Sequence, residues 1–285
     1  RMGATTQFTA VEAGKALEYM AMAGWKTDQM LGGLPGIMNL AAASGEDLGQ
    51  VSDIVTDALT AFNMTADQAG RFADVLAQAS SNSNTNVAMM GATFQKVAPV
   101  AGALGYSVED VSLAIGLMAN ASIKSEVAGT SLKTALANMA KPTKQMKEYM
   151  DKYGISLTNA DGSMKSFREV VDNLRSSLGG LSETEQVAAA TAIFGKESFA
   201  GMLAIVNASE ADFQKLSDSV NNSAGAAERM AQIKLDNFQG KVTLLQSAVE
   251  GLQIALGDAL LPTFTQGAET VSYTHLRAHE TSQDL

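Results

Sequence analysis

Short amphipathic segments separated by helix-ending residues constrain the fold of this chain more than any other feature of its sequence. The pattern is clearest between Asn84 and Thr143, where apolar residues recur three or four positions apart, the spacing of one helix face. Three helices are predicted there, with Pro99 and Gly102 interrupting the first and Pro142 following the third. Their apolar stripes are Val87, Met90, Phe94 and Val97; Val108, Val111, Ile115 and Met118; and Leu132, Leu136 and Met139. Helices this short depend on packing against one another.

The same pattern continues on both sides of this stretch, and hydroxyl residues mark the expected helix starts. A Ser or Thr followed three residues later by an acidic or amide residue is typical of an N-terminal cap. Such pairs are Ser44 with Asp47, Thr65 with Gln68, Ser107 with Asp110, Ser166 with Glu169, Ser182 with Glu185 and Ser209 with Asp212. A further helix break is predicted at the glycine- and proline-rich residues 32–36.

Composition agrees with an all-α fold. The chain of 285 residues is 46 % hydrophobic but only 6 % aromatic, and much of the remainder is Ala, Met and Leu, which favour helices. We therefore predict a multi-helix array of short helices. One exception is predicted near Ile155 to Lys165, where residues alternate around Asp161-Gly162, a turn pair typical of a short β-hairpin.

The character of the sequence changes after Ala226, where a long C-terminal helix with a heptad pattern is predicted as far as Leu261. Its apolar seam consists of Ala231, Leu235, Phe238, Val242, Leu245, Val249, Leu252 and Leu256. Gly240, Gly251 and Gly257 weaken such a helix by roughly 1 kcal/mol each, so it needs a packing partner. Two partners remain open at this point: the chain's own domain, or another chain.

These observations predict four parts along the chain. Residues 1–142 form a helical core domain, and residues 143–222 form a second helical subdomain. Residues 223–264 contain the long, coiled-coil-like helix. Residues 265–285 are expected to be a disordered or non-native tail, because their pattern differs from the rest and SYTHLRAHET resembles a translated sequencing-adaptor read-through.

No constellation for catalysis, cofactor binding or metal binding is predicted. The chain has no Cys, and both of its His residues, His275 and His279, lie in the suspect tail without a third zinc ligand pattern nearby. The carboxylates that a hydrolase would need are interpreted as helix caps or polar-face residues: Glu12, Glu109, Glu169 and Glu185. The net charge of −10 opposes stable nucleic-acid binding.

The run VAPVAGALGYSVEDVSLAIGLMANASIKSEVAGTSLKTALANMAKPT, residues 97–143, closely resembles the core region of phage tail tape measure proteins. The resemblance extends over roughly Thr6 to Ala208, with long runs in the same order. Two departures are modest: Ser122 stands where the family usually has Gly, and Glu126 lies where small residues are common.

The resemblance implies a virion structural protein of a phage or prophage tail. Tape measure proteins are mostly helical, template tail tube polymerisation and set tube length, and they leave the tube before DNA passes. The implied location is inside the tail tube, with assembly in the bacterial host cytoplasm. The implied partners are tail tube proteins, tail assembly chaperones and distal tail or baseplate proteins. A homo-oligomer is also expected, with membrane contact only during infection.

Two further functions compete with this interpretation. An enzyme is disfavoured by the missing nucleophile and base, and we predict that the chain is not one. The alternative is a membrane-active helical protein of a phage tail or injection apparatus, because the richness in Ala, Gly and Met and the amphipathic helices permit it. The acidic balance disfavours anionic lipid surfaces.

Overall fold

The computed structural model describes residues 6–237 and 241–256, and the regular secondary structure of these residues is helical throughout. The predicted all-α class is therefore confirmed. In chain order the helices are α1 (Ala10–Met22), α2 (Thr27–Ser44), α3 (Leu48–Ala61), α4 (Ala69–Ser81), α5 (Val87–Ala103), α6 (Val108–Asn120), α7 (Ser125–Ala140), α8 (Lys144–Tyr153), α9 (Phe167–Leu178), α10 (Glu183–Phe194), α11 (Phe199–Val206), α12 (Glu210–Asn221), α13 (Ala226–Leu235) and α14 (residues 241–256). A 3₁₀ turn, Ala66–Gln68, precedes α4.

The chain divides into two compact units, one of residues 15–234 and one of residues 1–14 together with 235–285. In the larger unit α5 packs along α7 and α3, α2 packs along α4, and α12 packs against both α4 and α6. Its core contains edge-to-face aromatic pairs: the Phe94 ring centroid lies 5.4 Å from that of Phe72 and 5.9 Å from that of Phe62. Such pairs add specific geometry to apolar burial.

Glycine allows several of these helices to approach closely. A Cβ atom placed on Gly36 of α2 would lie 2.7 Å from Cα of Gly70 on α4, closer than real atoms come. A Cβ on Gly129 of α7 would lie 2.7 Å from Cβ of Lys96 on α5. Glycine lowers helix propensity, but at these two positions its missing side chain lets neighbouring helices pack closely.

The predicted capping boxes at Ser107, Ser166 and Ser182 are confirmed. The Ser44 prediction is wrong, because Ser44 ends α2 and its hydroxyl donates to the Leu40 carbonyl at 2.7 Å. Asp47 itself caps α3, its carboxylate accepting the Gln50 N–H at 3.0 Å.

Both predicted proline breaks are also wrong, since α2 continues through Pro35 and α5 continues through Pro99. Each proline lacks an N–H and frees the carbonyl four residues earlier, which belongs to Leu31 or Gln95. All four of these residues are exposed, so water can satisfy the freed carbonyls and the helices persist.

The predicted β-hairpin near Ile155 to Lys165 is wrong as well. The described residues contain no strand, and this segment has one isolated antiparallel bridge, between Thr158 and Met164. One local side chain takes a hydrogen bond that a longer ladder would need, because the Asp161 carboxylate accepts from the Ser163 N–H at 2.9 Å.

The predicted long C-terminal helix is divided in the structure. α13 ends at Leu235, residues 236 and 237 form a turn and a bend, and residues 241–256 are helical again. Asp236 and Asn237 have low helix propensity, which places the interruption there. Phe238, Gly240 and the predicted tail of residues 265–285, with His275 and His279, lie outside the described residues.

Candidate functional site

The carboxylates considered for catalysis have structural partners. The Glu12 carboxylate accepts the Thr9 N–H at 2.8 Å, and the Glu12 N–H donates to the Thr9 hydroxyl at 3.2 Å, which is a capping box. The side chain of Glu109, interpreted from its sequence position as a cap, instead forms an ion pair with the Arg71 guanidinium at 2.7 Å. Each of these carboxylates thus has a role in the fold itself.

The pKa values of Glu169 and Glu185 are lowered, first by the hydrogen bond from the hydroxyl of the serine in each box and then by that serine's N–H. Ser182, for example, donates its hydroxyl to Glu185 at 2.6 Å. A general acid needs the opposite shift, toward neutral pH. Within residues 6–237 and 241–256, no group of three or more His, Cys, Asp or Glu side chains is placed to hold a metal ion.

The larger unit contains an acidic groove between α3 and α5, with a volume of about 340 Å³. Its floor is apolar and includes Ala58, Phe94 and Ala98, all almost fully buried. Asp57 also lines the groove. Burial raises the pKa of its carboxyl, the neighbouring Asp53 charge raises it further, and a hydrogen bond with Gln95 lowers it.

A second groove, which we call the methionine groove, has a volume of about 400 Å³. It lies where α7 ends, α8 begins and the 155–164 loop returns. Its apolar lining includes Leu104, Met139, Met150, Ile155, Leu157 and Met164, and its two charged lining residues are Lys147 and Asp151. Met139, Met150, Ile155 and Leu157 are buried at its floor, whereas Met164 is 39 % exposed. Sequence spacing does not reveal this groove, because its lining is scattered from Leu104 to Met164.

The third surface is the seam on α14, which is exposed. Leu245 is 65 % exposed, Val249 48 %, Leu252 60 % and Leu256 54 %. Single exposed apolar side chains are ordinary, but four at heptad spacing on one helix form a contiguous edge. None of the described helices is long and apolar enough to cross a membrane.

Comparison with known proteins gives consistent matches. Residues 1–195 match the family described as phage-related minor tail protein. The chain is 36 % identical over 265 residues to the tape measure protein of Pneumococcus phage Dp-1, an alignment that covers 93 % of this chain and 23 % of that relative. It is 24 % identical over 261 residues to a relative from Escherichia phage P2 named "Probable tape measure protein", covering 90 % of this chain and 32 % of that protein. The chain thus spans only 23 % and 32 % of the lengths of these two relatives. No solved structure matches.

Proposed function

As a member of the phage-related minor tail protein family, this chain is a structural component of a phage tail, and we propose that it forms the folded core of a tape measure protein. The resemblance first seen in residues 97–143 is confirmed by the matched family and relatives. The observation that carries the proposal is the similarity to a tape measure protein over 93 % of the chain. In this role the whole protein templates tail tube polymerisation and sets tube length.

The packing of the larger unit supports the proposal that different segments of the whole protein set tube length and contact other tail components. A helical ruler lengthens by 1.5 Å per residue only where its helices extend end to end. In residues 15–234 the longest helix, α2, has 18 residues, about 27 Å, and it packs beside α3 and α4. We therefore assign tube length to segments of the whole protein outside this unit, and to this unit a role in contacting other tail components.

The proposed location is inside the tail tube, after assembly in the bacterial host cytoplasm. The proposed partners are tail tube proteins, tail assembly chaperones and distal tail or baseplate proteins, together with further copies of this chain. The exposed seam on α14 supports the last of these. The net charge of −10 supports the absence of stable nucleic-acid binding, because phosphates repel an acidic surface.

The test uses the complete phage. Electron microscopy would compare tails made with an in-frame deletion in a helical segment outside residues 1–285 and tails made with a variant that unfolds this core. We expect shorter tails from the first and few or no tails from the second. Tails of normal number and length from the unfolded core would contradict the proposal. Deletions within residues 15–234 that shorten the tail in proportion to their length would contradict the assignment of the ruler elsewhere.

We also infer that this chain has no hydrolase activity, because Glu12, Glu109, Glu169 and Glu185 are occupied by caps and an ion pair. Zymography of the purified chain on peptidoglycan tests this inference. Clearing that persists through purification and disappears when one of these carboxylates is replaced would overturn it.

A further inference from the structure

The chain segment that leads into the methionine groove has a charge opposite to that of the chain as a whole. From Val127 to Lys147 the sequence contains four lysines and no carboxylate, although the complete chain has a net charge of −10. Three of these residues, Lys141, Lys144 and Lys147, are exposed and follow the chain around one side of the groove. Lys147 lines the groove, and Lys141 lies between Ala140 and Pro142, which line it too. We call these three residues the lysine rim.

The start of α8 adds to this positive charge. Backbone N–H groups at a helix N-terminus carry partial positive charge, which acidic residues in the first turn usually offset. α8 has no acidic residue in its first turn and begins instead with Lys144. Thr143 caps one N–H, that of Met146, at 3.3 Å. The N-terminus of α8 and the lysine rim therefore attract negative charge to the same part of the surface.

Asp151, the carboxylate beside the lysine rim, does not prevent the rim from attracting another negative charge. Asp151 pairs with Lys147 at 2.9 Å, but both side chains are more than 60 % exposed. Exposed pairs of this kind contribute little stability and exchange readily with other ions. A carboxylate from another molecule can therefore compete for Lys147, while Lys141 and Lys144 form no ion pair within the described residues.

The apolar lining of the groove indicates that a negatively charged occupant must also carry apolar side chains. A volume of about 400 Å³ is near the lower end for ligand pockets, and it suits a few large side chains rather than a whole helix. Three methionines line the groove, and their unbranched, polarisable side chains adapt to apolar groups of different shape. Met164 comes from the 155–164 loop and is 39 % exposed, so its unbranched side chain can adjust around an occupant.

We propose that the methionine groove docks an acidic segment of a partner protein, whose large apolar side chain enters the groove while its flanking Asp or Glu residues pair with the lysine rim. The charge complementarity selects this occupant over a basic segment. The proposal relies on the proposed function only in taking the partner to be a protein of the tail. The docking proposal can fail or succeed independently of the proposed function, because docking at this groove is measured on the purified chain without tail assembly.

The experiment selects peptides from a displayed library of random sequence on the complete chain and measures their affinity. Two variants alter the site, Lys144→Glu at the rim and Met164→Asp in the groove. Both residues are at least partly exposed, so the fold should be retained, which circular dichroism checks. Lys215→Glu, an equal charge reversal on the exposed surface of α12, is the matched control.

We expect selected peptides rich in Asp and Glu around a Leu, Met or Phe. Their affinity should fall at least tenfold in Lys144→Glu and in Met164→Asp, remain unchanged in Lys215→Glu, and weaken as salt is added. The methyl signals of Met139, Met150 and Met164 should shift when such a peptide binds. Selected peptides without an acidic bias, binding that survives both site variants, or the absence of any selected peptide would each overturn the proposal. In the free chain, a nuclear Overhauser contact from the Met164 methyl to a residue beyond position 256 would assign the groove to the chain's own segment instead and overturn it too.

Discussion

The carboxylate of Asp74, on α4, accepts the backbone N–H of Gly225 at 2.7 Å, although 151 residues of chain separate the two. Its second oxygen accepts the Ala227 N–H at 2.9 Å. Asp74 therefore caps the start of α13 from another helix, and it provides a negative charge where the helix dipole favours one. The buried residues of α13 are the small Ala226, Ala227 and Ala231.

Replacing this carboxylate should loosen α13 first. We expect Asp74→Ala to lower the free energy of unfolding by about 1–3 kcal/mol, because two charge-assisted hydrogen bonds are lost. Amide hydrogen exchange at Gly225 and Ala227 should accelerate. Asp28→Ala, which removes an exposed carboxylate from the first turn of α2, is the control and should cost only a few tenths of a kcal/mol. Equal exchange rates in the two variants would contradict the capping role.

Two glycines of α2 should respond in opposite ways to alanine. Gly36→Ala places a Cβ against the backbone of Gly70, which cannot move aside, so we expect a loss of about 1–3 kcal/mol. Gly32→Ala faces open space and should gain up to about 1 kcal/mol from helix propensity. Thermal unfolding of the two variants provides the comparison. A Gly36→Ala protein as stable as Gly32→Ala would show that α2 and α4 are not closely packed.

Ser122 occupies a left-handed conformation, with φ of 67°, at a position where the resemblance to tape measure proteins predicts Gly. A side chain in this conformation is strained, so Ser122→Gly should raise the free energy of unfolding by up to about 1 kcal/mol. Ser122→Ala keeps the Cβ atom and should change little. If the alanine variant gains as much as the glycine variant, the hydroxyl and not the backbone conformation is responsible.

Tyr106 should make stability decline at alkaline pH. Burial, followed by the charge of Asp110, raises the pKa of its hydroxyl to about 12. The unfolded chain ionises near pH 10, so this contribution is complete below about pH 10 and is lost as pH rises toward 12. The buried hydroxyl has no hydrogen-bond partner within the described residues.

Tyr106→Phe keeps the ring, whose centroid lies 5.7 Å from that of Phe167, and removes the ionisation. The variant should be at least as stable as the parent at pH 7 and should lose less stability between pH 10 and 12. Chemical denaturation at several pH values measures both effects. Identical alkaline profiles would show that Tyr106 ionises freely in the folded chain.

The α14 seam should join chains. Leu245→Asp with Leu252→Asp places two charges on side chains that are 65 % and 60 % exposed, so the fold of residues 15–234 should be unaffected. A concentration-dependent oligomer of the parent should become monomeric, which analytical ultracentrifugation detects. Each buried Leu contributes about 1.5–3 kcal/mol to such an interface. A double variant that loses its whole fold would place the seam in the core of a single chain.

Helix existence and most helix starts were predictable because their causes are local. The box of Ser107 with Asp110 closes within a single turn, so four consecutive positions are enough to recognise it. The apolar stripe of Val87, Met90, Phe94 and Val97 likewise reports which face becomes buried, and all four residues are buried in α5. The predicted hairpin failed for a local reason too, because the Asp161 carboxylate accepts the Ser163 N–H that a longer ladder would use.

The remaining features depend on what surrounds each residue, and sequence spacing carries no information on that. Pro35 and Pro99 fail to end their helices because they lie on exposed faces, where water reaches the freed carbonyls. Gly36 is required because Gly70 of another helix touches it, and Asp74 caps α13 through the N–H of Gly225, which lies 151 residues later. The methionine groove exists only once Leu104, Met150 and Met164 are brought together. Periodicity thus determined the helices and their buried faces, whereas tertiary packing decided which backbones touch and which apolar surfaces remain open, because both depend on distances between residues far apart in the chain.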